Sequence, residues 1–446
     1  MTEPITFPVI KMNVGDNRGV TVIFSAADII DATITQEIDP LSATLPISTL
    51  EFSVHSTSTD FSIFSSGTFF NQLSKRQPII VWENVDETEY LMGKFYLDTW
   101  KNDDTDKLSL TAMDVIGVLD TAPYDGSFWA TATSLPDILY AILHPVGVDY
   151  TIDGALSGVT LIGWIPPSTC REALQLVCFA AGAMVSTAKS LVLNVIKMKL
   201  PYTDASYSDD VLSTEMDGDQ TIELLPFITK AELISHDYMQ GVLPEDIFSA
   251  TLVPGDYKIV FDKPYWNVVA TGAGDLPTYI TTEDGAYCIC TEKSTVYPTL
   301  CEMLDIPGAY LFGPNCLYLH VYPPGGAISV VGYPWVDTKQ SFIFTETIDP
   351  VDAPYITNNT LLIDKATLVT VATAPDILTR VVNYHKQRYI QHLTLFPRTT
   401  SKIGDEVRAA THFAEYIIGV IEKQEIDLAG GFLLTTDIVG IEELPA

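Results

Sequence analysis

Leu50, Phe52 and Val54 alternate with Glu51, Ser53 and His55, and Leu108, Leu110 and Ala112 alternate with Ser109 and Thr111. An apolar side chain at every second position marks a strand with one face on a core and the other in water. Short runs of this kind, punctuated by Gly, Pro, Asn and Asp, recur along most of the chain and restrict it to a largely β architecture. The 21 tyrosines and 19 phenylalanines suit such half-buried pleated surfaces. With 446 residues, 47% of them apolar, the chain is long enough for roughly two to four domains, each with its own core.

The first 115 residues read almost wholly as strands, enough for a small barrel or sandwich. A hairpin is expected there from 89–100 and 107–113, turning at Asn102-Asp103-Asp104. Ser134-Leu135-Pro136-Asp137 then opens a helix running to about His144, and Thr169-Cys170-Arg171-Glu172 is a capping box. The second helix carries Ala173, Leu174, Val177, Cys178 and Ala181 on one stripe and stops at Gly182. A hairpin of 184–186 and 191–198 closes over it, making 116–199 a compact α/β unit.

Strands resume from 200 to about 370. Pro254-Gly255-Asp256 turns into Tyr257, Ile259 and Phe261; Tyr287/Ile289 and 327–333 follow, with Pro323-Pro324-Gly325-Gly326 as a turn. A third helix is expected over 375–389, capped by Thr373, with the stripe Leu378, Val382, His385 and Tyr389. Strands at 393–396, 406–411, 415–427 and 432–438 finish the chain, with Gly430-Gly431 as the last turn. There is no fixed-period repeat and no low-complexity tract.

The charge is one-sided: 24 basic against 57 acidic residues, a formal −33. Such a field repels phosphate and disfavours non-specific contact with nucleic acid or anionic membrane. Residues 19–74 hold Asp28, Asp31, Glu37, Asp39, Glu51 and Asp60 without a Lys or Arg. Residues 201–229 hold Asp204, Asp209, Asp210, Glu215, Asp217, Asp219 and Glu223, again without one. These stretches are either a solubilising surface or a one-sign wall facing something that must not stick.

Chemistry-bearing patterns are sparse. His385 and His392 would share one face of a continuous helix, but no spacing supplies a third zinc ligand, so a core or interface histidine is the plainer reading. Cys288-x-Cys290, with Cys301 and Cys316, has the wrong spacing for paired zinc knuckles, so this cluster reads as buried small hydrophobes; the six cysteines, Cys170 and Cys178 included, are too sparse for a disulfide scaffold, and reduced thiols are expected. No nucleophile elbow is present, Gly272-Ala273-Gly274 is too short for a phosphate loop, and Asp217-Gly218-Asp219 lacks the remainder of a calcium loop. No catalytic, cofactor-binding or metal-binding residue is assigned, and no enzyme activity is expected. Paired carboxylates for glycoside hydrolysis remain open, because such pairs meet only in three dimensions. Met1-Thr2-Glu3 begins no secretory signal, and the longest apolar run, 176–185, is far short of the ~20 residues of a membrane helix. Synthesis in a cytoplasm and no membrane insertion are the corresponding expectations.

The order of pieces, a β-barrel, an α/β insert, a β-rich insert, then a helix and closing strands, resembles the phage tail hub family. That family comprises baseplate hubs, late-control-protein relatives and the hub part of secretion spikes. Residues 47–54, 77–81 and 93–100 look like its first barrel, and 107–119 (KLSLTAMDVIGVL) is similar to the strand-to-helix exit from it. Residues 169–183 resemble its central helix, and 228–238 a strand returning through the second barrel. Gly404-Asp405-Glu406-Val407, Ile418-Gly419-Val420-Ile421 and 427–432 resemble the final strands.

The resemblance implies a β-rich α+β fold with two small tube-like β-barrels. The divisions are 1–115 first barrel, 116–199 α/β insert, 200–240 strands returning to the second barrel, 241–372 β-rich insert, and 373–446 helix and closing strands. It also implies a homotrimer whose two barrels per chain make a ring of six, at the tail tip of a virion. Such a ring joins the tail tube or distal-tail protein and the tape-measure protein to a spike or fibre protein, and DNA passes through without specific binding. Asp28, Asp31, Glu37, Asp39, Asp209, Asp210, Asp217 and Asp219 are then candidates for lining that channel. No appended cell-wall enzyme or needle is expected on this chain. Competing readings are a distal-tail or receptor-binding subunit, a carbohydrate-active enzyme, and a surface adhesin.

Overall fold

The structure is a computed structural model describing residues 6–14, 20–55, 73–104, 106–201, 207–226, 228–253, 255–272, 287–289, 309–313, 315–321, 326–346, 359–396, 401–413, 415–429 and 431–443. Strands dominate, as the alternation requires, and the fold class is β-rich α+β. Among the described residues the largest sheet has 13 strands. Its N-terminal half runs laterally Ile29–Glu37, Thr49–His55, Lys107–Met113, Thr88–Asp104, Pro78–Val85, Thr6–Val14 and Val20–Phe24. The C-terminal half runs from Tyr416–Asp427 through Leu433–Glu442 and Tyr389–Leu395 to Thr221–Leu224, with Glu406–Ala410 and Asp209–Val211 branching from Tyr416–Asp427.

One strand joins the halves. Leu433–Glu442 lies along one edge of Tyr416–Asp427 for its whole length. The other edge is divided: Tyr416 to Val420 pairs with Glu406–Ala410, and Lys423 to Asp427 pairs with Glu37 to Thr33. The partner changes at Glu422, where the ladder carries a bulge and the Glu422 carbonyl accepts from the Ile38 amide at 2.8 Å. Bulges bend and twist a strand locally, which suits one strand to serving two neighbours. A single core runs across this seam, from Ile10, Phe52 and Phe95 to Val407, Ile421 and Phe432.

The expected hairpin forms, but its first strand continues through Asp104, so Asn102-Asp103-Asp104 are ladder residues at a register shift. Lys107–Met113 leads into helix α1 (Val115–Asp120) through Asp114, whose buried carboxylate accepts from the Ile116 and Gly117 amides and from the Thr187 hydroxyl at 2.8 Å. Helix α2 (Leu135–Leu143) starts at Ser134, which accepts from the Asp137 amide. Helix α3 (Cys170–Ala181) has both arms of the Thr169/Glu172 capping box and ends at Gly182 with φ +69°. Ala183–Ser186 and Leu193–Lys197 pair as the hairpin beside it.

Several expectations fail in the second half of the chain. The third helix, α4 (Ala374–His385), stops four residues short of Tyr389. The polar Lys386 and Gln387 close a turn, and Tyr389–Leu395 is taken up by Leu433–Glu442, so His392 lies in a strand and the shared helical face with His385 does not exist. Thr373 supplies no helix cap; its hydroxyl accepts from the Thr370 amide instead. The stretch 228–238 does not return through the large sheet. Its strand, Lys230–Gln240, pairs over its full length with the outer part of a 20-residue strand, Gly326–Thr345, in a separate five-stranded sheet. Residues 327–333 are therefore only the first part of a strand that continues through Pro334, whose carbonyl accepts from the Gly241 amide. A strand begins at Gly255, where a turn was expected.

Helices α1–α4 share one apolar core with Leu233, Leu361 and Leu368, and the β-rich part has a smaller core of Ile259, Phe261, Leu317 and Val330. Arg380 of α4 donates to the Phe179 carbonyl at the C-terminus of α3, where a cation satisfies orphan carbonyls and the helix dipole. Among the described residues no helix is long and apolar enough to cross a membrane.

Candidate functional site

Of the acid-only stretches, the first reaches the seam, through Ile29–Glu37. In Ile29–Glu37 the residues Ala32, Ile34 and Gln36 face the core, so Asp31 and Glu37 lie on the outward face. Register places Asp427, Thr33 and Glu51 side by side across three strands, and Glu425, Thr35 and Thr49 in the next row. Glu51, Asp31, Glu37, Glu425 and Asp427 are all exposed. In the Asp427–Thr33–Glu51 row a threonine strand separates the two carboxylates, a spacing of roughly 9–10 Å. Charges at that distance in water repel weakly and are screened by salt, so the face tolerates its own charge while keeping a negative potential. Lys107 lies 3.5 Å from Asp31, and Lys423 is the ladder partner of Glu37.

The eight candidate acids do not form one cluster. Asp31 and Glu37 belong to the outward face just described. Asp28 closes the turn before it, accepting from the Ser25 amide and hydroxyl. Asp39 accepts from the Leu41 and Thr44 amides and so fixes the loop after it. Asp209 and Asp210 sit on a short parallel strand beside Val407 and Arg408, with Arg408 3.5 Å from Asp210 and 2.8 Å from Glu443. Asp217 and Asp219 are exposed on the turn before Thr221–Leu224, at the far edge of the C-terminal half. Asp204 and Asp60 lie outside the described residues.

Sequence reading missed the acids at the seam itself. Glu422, Glu425, Asp427 and Asp437 lie outside the two stretches singled out above: Lys423 follows Glu422, and residues 424–446, which hold Glu425, Asp427 and Asp437 without a Lys or Arg, make a further such stretch. Burial pushes the half-buried Glu422 carboxyl up to about 8, and Asp39, Glu37 and Asp437 push in the same direction against the Tyr384 hydroxyl, which donates to it at 3.1 Å. Asp39 is raised as well, burial outweighing its hydrogen bonds. Asp437 is paired with His392 Nδ1 at 2.7 Å. Beneath the seam Gln36, Gln424 and Thr436 are adjacent across three strands, fully buried, with side-chain polar atoms that meet no partner in the chain. Glu83, also buried and unpartnered, is pushed up to about 8 by desolvation.

Among the described residues no three His, Cys, Asp or Glu side chains converge as a metal-holding group. Cys170, Cys178 and Cys316 are buried, and burial pushes the Cys178 thiol up to about 12, which makes it inert. Cys288 lies on the strand Tyr287–Ile289, while Cys290 and Cys301 are outside the described residues, as are Pro254, 273–274, 323–325 and Gly430.

No protein-family model matches the chain, and no curated protein matches it. Solved structures do. The tail protein from Neisseria meningitidis MC58 superposes with a TM-score of 0.54 at 8% identity, over 98% of this chain and 97% of that one. The 43 kDa tail protein of prophage MuSo2 from Shewanella oneidensis superposes at 0.51 with 11% identity, over 98% of each. At such identities the likeness is one of fold, and it leaves almost no residue out: from end to end this chain has the fold of those tail proteins.

Proposed function

We propose that the chain is a structural subunit of a phage-type tail, the hub at its tip. The observation that carries this reading is the end-to-end likeness to two tail proteins, in which neither chain has a large part unmatched. The two halves of the large sheet are the two tube-like barrels of this reading, held together by Tyr416–Asp427. Three copies then build a ring of six barrels by a closed heterologous contact. The ring links a tail tube or distal-tail protein, and the tape-measure protein inside it, to a spike or fibre below.

In this assembly the outward acidic face at the seam turns towards the bore. Lysines there would neutralise phosphates, release counterions and hold the DNA, whereas carboxylates let it slide. Asp31 and Glu37 are the channel candidates this geometry supports best, with Glu51, Glu425 and Asp427 beside them. Native mass spectrometry and averaged electron micrographs of the purified protein test the reading. A mass of three chains and a central hole are expected; a six-fold ring would instead make it a distal-tail subunit, and a stable monomer would remove the hub.

A further inference from the structure

A cleft of about 250 Å³ opens where the α/β part, the long strands and the β-rich part meet. Its walls are Trp164 from Thr160–Ile165, Tyr238 from Lys230–Gln240 and Trp335 from Gly326–Thr345, with Pro264 and Pro334 between them. Asp337, Glu245 and Lys263 supply its polar groups. Ligand sites have this make-up: aromatic and apolar walls with a few placed hydrogen-bonding groups, at a junction of structural units.

The walls are held from behind. Trp164 Nε1 donates to Asn315 at 2.7 Å, and the Trp164 carbonyl accepts from the Thr367 hydroxyl. Phe128 packs on Trp335 with ring centroids 4.6 Å apart and meets Tyr238 edge-on at 5.4 Å. The Trp335 amide donates to the Pro264 carbonyl. Asp337 Oδ2 lies 2.8 Å from Nδ1 of the buried His236, whose Nε2 lies 3.2 Å from the Asp364 carbonyl. Asp337 Oδ1 is buried and meets no partner in the chain.

We infer that this cleft binds a neutral carbohydrate, with a sugar ring lying against the aromatic walls and its hydroxyls on Asp337, Glu245 and Lys263. A pyranose has an apolar C–H face for the electron-rich ring faces and a rim of hydroxyls that both donate and accept. The Glu245–Lys263 pair, 2.6 Å apart at the rim with both side chains about 40% exposed, offers an acceptor and a donor side by side. Charge excludes the alternatives. Lys263 pairs with Glu245 and Lys339, 3.8 Å from Asp337 Oδ2, with Asp337, so the rim carries two cations against two carboxylates and offers no net charge to draw in an ammonium or an anion. Because the walls are fixed before any ligand arrives, little ordering cost opposes binding.

The inference stands on the cleft alone, so it survives or fails independently of the tail reading. The full-length protein is applied to a glycan array, and the retained glycan is titrated by tryptophan fluorescence against wild type, Trp335→Ala and Glu245→Gln. Because Trp335 packs on Phe128, E245Q, at the exposed rim, serves as the variant that leaves the core untouched, and thermal melts of both report folding. At least one neutral glycan is retained, both variants weaken it tenfold or more, and choline chloride and inorganic phosphate do not compete. Failure to retain any neutral glycan, retention unchanged in E245Q and W335A, or displacement by choline chloride at lower concentration than free glycan overturns the assignment.

Discussion

At the bulge in Tyr416–Asp427 the Glu422 carboxyl exchanges water for the Tyr384 hydroxyl and a neighbourhood containing Asp39, Glu37 and Asp437. Its folded pKa, about 8, lies above the ordinary 4.5, so the folded chain holds this proton where the unfolded chain has lost it. Stability from Glu422 is therefore fully present below about 4.5, falls as pH rises towards 8 and is flat beyond. Since the group is only half-buried, solvent screening reduces the effect to about 2 kcal/mol. Glu422→Gln keeps the Tyr384 hydrogen bond and cannot ionise. Urea unfolding across that window is expected to show a shallower decline for E422Q than for wild type, with the variant more stable above pH 8. Parallel profiles would mean that the carboxyl is as well solvated folded as unfolded.

At the scale of an element, helix α3 shows how completely local rules can write a segment. Its capping box, apolar stripe and glycine stop are all present in the letters, and each appears in three dimensions. Gly182 has a second reason to lack a side chain, because an added Cβ would stand 2.6 Å from the Arg380 guanidinium. Gly182→Ala therefore combines left-handed strain with displacement of the α4 cation from the Phe179 carbonyl, and it should cost about 2–3 kcal/mol. Thr169→Ala at the other end should cost about 1 kcal/mol. Thermal melts that rank T169A as the more damaging change would show that the Arg380 contact contributes little. Helix α4 is the contrary case. Its periodic pattern runs on to Tyr389, yet Leu433–Glu442 draws Tyr389–Leu395 into the sheet, and long-range pairing overrides local periodicity.

For the whole molecule, the decisive feature is that residues about 390 positions apart share a ladder: Thr33 faces Asp427. The pairing turns two modest runs of acids into one face, and it sets the charge a passing polymer would meet. Replacing Glu425 and Asp427 together by Lys is expected to give non-specific DNA affinity that the parent lacks. That affinity should fall steeply with salt, with a slope of about −0.9 per phosphate contacted. Electrophoretic mobility shift at low and moderate salt reads this directly. If the parent binds duplex DNA as tightly as the double variant, the face does not act by repulsion.

The sequence by itself determined the β-rich class, helices α2 and α3 with their caps, the hairpin ending at Lys107–Met113 and the alternation that buries Leu50, Phe52 and Val54. Those features depend on residues within a few positions of one another, where hydrogen-bond geometry and side-chain period act directly. Only the tertiary structure decided which strands became neighbours. It placed Glu422 at the change of partner, gathered Trp164, Tyr238 and Trp335 around one cleft, and moved Lys230–Gln240 out of the large sheet. Strand pairing is chosen by the free energy of a whole buried surface, and a period of two is the same whichever neighbour supplies the other half of the ladder.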